Sequence, residues 1–172
     1  TREETIAYAT RHGIPIPVTK KSPYSIDECL WGKSAECGAL EDPWVEPPAD
    51  VYTWTKSPAE APNEPQYVEI EFEKGIPVAL DGKKMGGIEL IMKMNEIAGL
   101  HGIGRIDHIE NRVVGIKSRE IYEAPAAIAL ITAHKALEAM CMSKDQLRFK
   151  DIVSTQCADL IYNGLWFSQF NR

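Results

Sequence analysis

Arg105-Ile106-Asp107-His108-Ile109-Glu110-Asn111-Arg112-Val113-Val114-Gly115-Ile116-Lys117-Ser118-Arg119-Glu120-Ile121-Tyr122-Glu123-Ala124-Pro125 is the stretch on which the fold turns. Polar and charged residues keep interrupting what would otherwise be a strand and a helix start. A segment built only for packing alternates apolar and polar residues cleanly. Here Asp107, Glu110, Asn111, Arg112, Lys117, Ser118, Arg119, Glu120, Tyr122 and Glu123 crowd around a short apolar run, Val113-Val114-Gly115-Ile116. Such a cluster is either a surface ion-pair network or the wall of a polar pocket. Charge density alone favours the network, because charge runs usually sit on solvated faces. The apolar run itself is expected as a buried strand.

Outward from that stretch the pattern changes character. Alanine-rich residues 125–141 predict a strong helix. Ser143 is expected to cap a further helix, with Asp145 in its first turn and its end near Asn163-Gly164. Toward the N-terminus, Ile88, Ile91, Met92 and Ile97 recur at helical spacing over 88–98. Val68-Glu69-Ile70-Glu71-Phe72-Glu73 alternates strictly and predicts a half-buried strand. Lys74-Gly75 turns it, residues 76–80 return as a hairpin, and residues 81–84 turn again. Residues 43–65 hold Pro43, Pro47, Pro48, Pro58, Pro62 and Pro65, which predicts a long extended excursion; a domain linker is the alternative, but too little chain precedes it to form a separate domain. Ile14 to Val18 suits an edge strand or extended segment. Thr1 followed by Glu3 and Glu4 reads as a helix start, with the end near Gly13. Strands and helices mix without regular βα alternation, so the expected class is α+β, with long helices in the C-terminal third.

Bulk properties exclude several functions. The 172 residues suit one domain with a real core, and 44% hydrophobic content is ordinary for a globular protein. A net charge of -6 argues against nucleic-acid binding, which needs clustered Lys and Arg. No apolar run is long enough to span a membrane, and no charged-then-apolar leader opens the chain. Cys29, Cys37, Cys141 and Cys157 are scattered, without a CxxC pair, so a reducing, cytoplasmic setting is expected.

Chemical motifs are sparse. No Walker A loop is present, and Gly99, Gly102 and Gly104 suit helix-end and turn roles better than a phosphate cradle. His12, His101, His108 and His134 lack metal-ligand spacing, so no metal site is expected. No G-x-S-x-G elbow marks a nucleophilic serine. The tryptophans suit core packing or pocket rims, and Met85, Met92, Met94, Met140 and Met142 read as core filler.

Three blocks in order carry a resemblance. The first is His12-Gly13-Ile14-Pro15-Ile16-Pro17-Val18-Thr19, running into Ser22-Pro23-Tyr24-Ser25-Ile26-Asp27-Glu28, Leu30-Trp31-Gly32-Lys33-Ser34 and Glu36-Cys37-Gly38. The second is Leu40-Glu41-Asp42-Pro43-Trp44. The third is Glu110-Asn111-Arg112, Lys117-Ser118-Arg119 and Ile121-Tyr122-Glu123-Ala124-Pro125. Together the blocks resemble the argininosuccinate synthase family over nearly the whole chain. One departure is Cys29, which stands where the family usually has asparagine.

The resemblance implies an ATP-dependent carbon–nitrogen ligase of arginine biosynthesis. The ureido oxygen of citrulline attacks the α-phosphorus of ATP, pyrophosphate leaves, and the aspartate amine then displaces AMP to give argininosuccinate. Carried over motif by motif, Ser25, Ser34, Glu110 and Tyr122 are the expected citrulline-binding residues. A carboxylate suits the α-ammonium, and hydroxyls can accept from it or donate to the α-carboxylate. Read from composition alone, Ser25 and Ser34 would cap turns, Tyr122 would pack and Glu110 would pair with Arg112. The family binds ATP, with Mg, and aspartate mainly through an N-terminal domain opening on a Ser-Gly-Gly-Leu-Asp-Thr-Ser loop. That loop is absent here, so residues 1–172 are expected to be the synthetase (citrulline-binding and oligomerisation) domain, truncated at both ends, with no cofactor of its own and no activity in isolation. A homotetramer is the family's assembly. The alternative is a stand-alone amino-acid-binding or regulatory and assembly module derived from that domain.

Overall fold

The computed structural model describes residues 2–16 and 24–169. The class is α+β, as expected: four helices accompany two antiparallel sheets. Helix α1 (Arg2–Arg11) ends just before Gly13, whose φ of 63° takes the chain out of the helix. Thr1 lies outside the described residues. Residues 14–16 form no strand, and Pro17 and Val18 also lie outside the described residues.

The first sheet has the order β1-β2-β7-β6, from β1 (Ser25–Cys29), β2 (Gly32–Glu36), β6 (Arg105–Asn111) and β7 (Lys117–Glu123). The second sheet is the meander β3 (Ile70–Glu73), β4 (Ile76–Leu80) and β5 (Lys83–Lys84). The β3–β4 hairpin matches expectation. Lys74 and Gly75 both take positive φ, the backbone that a two-residue turn needs to match strand twist. Helices α2 (Gly87–Leu100) and α3 (Pro125–Cys141) pack on the meander around Leu80, Leu90, Met94, Ala126 and Leu130. A separate core of Tyr24, Ala35, Leu40, Val51 and Ile121 lies under the first sheet. The last helix, α4 (Lys144–Tyr162), starts on Ser143 as expected, and the cap is a reciprocal box: the Ser143 side chain accepts from the Gln146 amide, and the Gln146 side chain accepts from the Ser143 amide.

Three expectations fail: of residues 81–84, expected as a turn, only Asp81-Gly82 turn while Lys83 and Lys84 pair with Leu80 and Ala79 as β5; the other two concern the hairpin tip and the methionines. Val113-Val114-Gly115-Ile116 is not a buried strand; it is the tip of the β6–β7 hairpin. The last strand pair is Asn111 with Lys117, Arg112 N donates to Ile116 O at 2.9 Å, and Gly115 takes φ 82°. Val113, Val114 and Ile116 are exposed. The apolar centre is the turn and the charged flanks are the strands, because the flanks use their polar side chains on a sheet face. The methionines divide similarly: Met94 is buried, whereas Met92 and Met140 face solvent.

The proline-rich excursion is organised by a buried carboxylate. Glu123 and Lys33 are paired in register and almost wholly inaccessible, at 1% and 3% exposure. Glu123 accepts from the amides of Thr53, Trp54 and Thr55 at 2.8–3.0 Å, from Thr55 Oγ1 at 2.6 Å and from Lys33 Nζ at 3.0 Å. Lys33 Nζ also donates to Val51 O and Thr53 Oγ1. Arg105, opposite Glu123 on the other flanking strand, donates to Thr55 and lies 3.8 Å over the Tyr52 ring. Burial alone disfavours the Glu123 carboxylate, but its donors, Thr55, Thr53 and Lys33, prevail and hold it below the usual range. This row fixes the register of β2, β7 and β6.

Candidate functional site

Strand residues alternate between faces, so the register that buries Lys33, Ala35, Ile121 and Glu123 turns their neighbours to the opposite face. That face carries Ser25, Asp27 and Cys29 of β1, Ser34 and Glu36 of β2, Ser118, Glu120 and Tyr122 of β7, and Ile106, His108 and Glu110 of β6. Ser34 lies directly opposite Tyr122, and Ser25 opposite Glu36. Residues more than seventy positions apart thus meet on one surface.

A hydrogen-bonded carboxylate group occupies the middle of it. The Tyr122 hydroxyl contacts Glu110 Oε1 and lies 2.9 Å from Glu120 Oε2. Burial, then the Glu110 and Glu120 contacts, push the Tyr122 phenol far above its ordinary value, so it remains protonated. Arg112 reaches back from the hairpin tip: Nη2 is 2.8 Å from Glu36 Oε2 and 3.2 Å from Glu120 Oε1, and Nε donates to Ser118 Oγ at 3.1 Å. From α4, the Tyr162 hydroxyl stands 3.5 Å from Glu110 Oε2. The His108 ring sits edge-on to Tyr122, with centroids 6.3 Å apart.

Of the four residues singled out from sequence, Glu110 and Tyr122 are in contact, Ser34 neighbours Tyr122 across the strand pair, and Ser25 lies one strand further out. The composition-only pairing of Glu110 with Arg112 is not what forms; Arg112 takes Glu36 and Glu120 instead. Sequence reasoning did not single out Glu36, Glu120 or Tyr162 for this face. Period-two spacing from Tyr122 would have found Glu120 and Ser118, but nothing local points to Glu36 or Tyr162. Among the described residues, no three His, Cys, Asp or Glu side chains gather in a way that could hold a metal ion. The described helices include none long and apolar enough to cross a membrane.

Fold and face define an α+β domain with a hydroxyl- and carboxylate-lined open sheet. Residues 24–172 match the family described as the arginosuccinate synthase C-terminal domain, and the chain belongs to that family. It is 62% identical over all 172 residues to an argininosuccinate synthase of Dehalococcoides mccartyi, covering 42% of that protein. It is 61% identical over 98% of its length to one from Trichodesmium erythraeum, again 42% of the relative, and 59% identical over 97% to one from Rubrobacter xylanophilus, 41% of the relative. The chain therefore spans about two fifths of the length of these relatives.

Proposed function

We propose that this chain is the citrulline-binding and subunit-contacting part of an ATP-dependent ligase that joins citrulline and aspartate to give argininosuccinate, AMP and pyrophosphate. The observation that carries the reading is the meeting of Ser34, Tyr122 and Glu110 on one open face, with the Tyr122 hydroxyl holding Glu110. In this reading the Glu110 carboxylate receives the α-ammonium of citrulline. The Tyr122 and Tyr162 hydroxyls keep that carboxylate in place, and the hydroxyls of Ser25 and Ser34 serve the α-carboxylate or ammonium. The neutral ureido group is thereby left free to present its oxygen to the α-phosphorus of ATP. ATP, its Mg and aspartate are co-substrates held mainly by residues outside this chain. The chain works in a reducing cytoplasm, a setting its four free cysteines suit.

The test is Glu110→Gln in the full-length protein. The substitution keeps shape and removes charge, so the citrulline KM should rise while the KM values for ATP and aspartate move less. A citrulline KM equal to wild type would sink the site assignment. A second reading, an assembly module in which the polar clusters serve subunit contacts, draws on α4, where no residue is buried and Phe149 and Ile152 stand in solvent. Citrulline binding by calorimetry separates the two, since an assembly module binds none.

A further inference from the structure

The face that carries Glu110 has an unbalanced charge. Asp27, Glu36, Glu110 and Glu120 all project from it, and among the described residues the cation that pairs with any of them is Arg112. Its guanidinium divides itself between Glu36 and Glu120 and leaves Glu110 to the Tyr122 and Tyr162 hydroxyls. Glu36, followed by Glu120 and Glu110, holds the Arg112 proton more firmly than in an isolated arginine, so all three carboxylates feel this cation. Hydroxyls satisfy a carboxylate without neutralising it. Glu110, like Asp27, therefore keeps its charge for an incoming ammonium, and of the two it is the one held in place by hydroxyls, whereas Glu36 and Glu120 share the Arg112 guanidinium.

We propose that Arg112 is a specificity-determining residue of this face: by offsetting half the charge of Glu36 and Glu120 it biases binding toward amino acids with one ammonium and an uncharged side chain. The inference rests on the reading of this face as an amino-acid site. Neighbouring strands lie about 4.8 Å apart and alternate residues about 7 Å apart. An amino acid with its ammonium on Glu110 accordingly starts about one screening length from Glu120 and Glu36, and a side chain that runs across the sheet toward them comes within it. With Arg112 in place a second positive charge meets only the one net negative charge that Glu36, Glu120 and the guanidinium leave between them. Without Arg112 the same charge meets two free carboxylates.

Citrulline and arginine isolate this effect, because they share length and shape and differ chiefly in a ureido oxygen against a charged guanidinium nitrogen. The measurement is the dissociation constant of each, by calorimetry or as citrulline KM and arginine Ki, in the full-length protein as wild type, Arg112→Gln and Arg112→Lys. The ratio of arginine to citrulline dissociation constants should fall about tenfold or more in Arg112→Gln, as expected for one unit charge acting across a partly exposed site. It should stay within about threefold of wild type in Arg112→Lys, which keeps the charge and loses the fork. A role in folding alone weakens both ligands together and leaves the ratio unchanged; that result, with citrulline binding intact in wild type, overturns the proposal. If Arg112→Gln does not fold, Glu36→Gln with Arg112 intact leaves the guanidinium to Glu120 alone and makes the face one charge more positive, so the ratio of arginine to citrulline dissociation constants should rise severalfold; an unchanged ratio in that folded variant also overturns the proposal. A wild-type protein that binds neither amino acid removes the site reading itself, and the inference with it.

Discussion

Glu110 and Glu123 are the same residue type thirteen positions apart, and the sheet gives them opposite work. Glu110 sits on the open face with its charge available, whereas Glu123 is enclosed by five donors. If Glu110 receives the citrulline ammonium as proposed, Glu110→Gln removes one charge-assisted interaction, worth about 1.5–3 kcal/mol, so the citrulline KM should rise roughly 10- to 150-fold with the melting temperature nearly unchanged. Tyr122→Phe should act in the same direction more weakly, since it removes one neutral hydroxyl. Glu123→Gln should do the reverse and destabilise the fold, by roughly 3–5 kcal/mol, because Lys33 would be left buried and uncompensated. Its pH dependence has a definite sign. The folded carboxyl ionises at lower pH than the unfolded one, so between the two values the unfolded chain binds more protons. The stability Glu123 contributes is complete above the ordinary glutamate range, near pH 4.3, and is lost as pH falls through the lower folded value. Melting curves from pH 6 to pH 3 should show the wild type losing stability faster than Glu123→Gln, and parallel curves would mean that Glu123 carries no such linkage. None of this was visible at the residue in sequence, where Glu123 reads as one more charge in a charged run.

At the scale of elements, the β6–β7 hairpin separates local pattern from tertiary role. Its tip exposes Val113, Val114 and Ile116, while Arg112 beside it is spent on the sheet face. Replacing those three aliphatics with Thr, Ser and Thr should therefore cost less than about 0.5 kcal/mol each in chemical denaturation, as at other surface positions. A loss of several kcal/mol would instead restore the buried strand expected from hydropathy. Gly104, between α2 and β6, sits at φ 103°, and a Cβ there would lie 2.5 Å from Pro125 N. Gly104→Ala should consequently lower the melting temperature by several degrees, through both backbone strain and a clash with the start of α3 that backbone atoms cannot relieve. The helices were legible because caps act within a few residues: the Ser143 cap and the end near Asn163-Gly164 were both readable. The hairpin was not, because a short apolar run gives no sign of whether its neighbours lie in a sheet or in a loop.

Across the whole molecule, α4 is the element least explained by the chain alone. It is 19 residues long, buries none of them, and shows Phe149, Ile152, Val153 and Ile161 to solvent. Exposed apolar stripes of this length mark contact surfaces. Self-association is therefore expected, and sedimentation at micromolar concentration should report a species larger than a 19.2 kDa monomer. Phe149→Asp with Ile152→Asp should shift the population toward monomer without lowering citrulline affinity. A wild-type monomer at high concentration would mean that other segments supply the contacts. The sequence by itself determined the α+β class, the β3–β4 hairpin, α2, α3, α4 and the family, because periodicity, caps, turns and motif spacing are short-range properties written in consecutive residues. Tertiary structure alone decided that Lys33, Glu123 and Arg105 form a buried row beneath the proline-rich segment, and that Glu36 and Arg112 share a face with Glu110. The reason is physical: which face a strand residue takes depends on what covers the other face, and a covering segment seventy residues away leaves no trace in the local pattern.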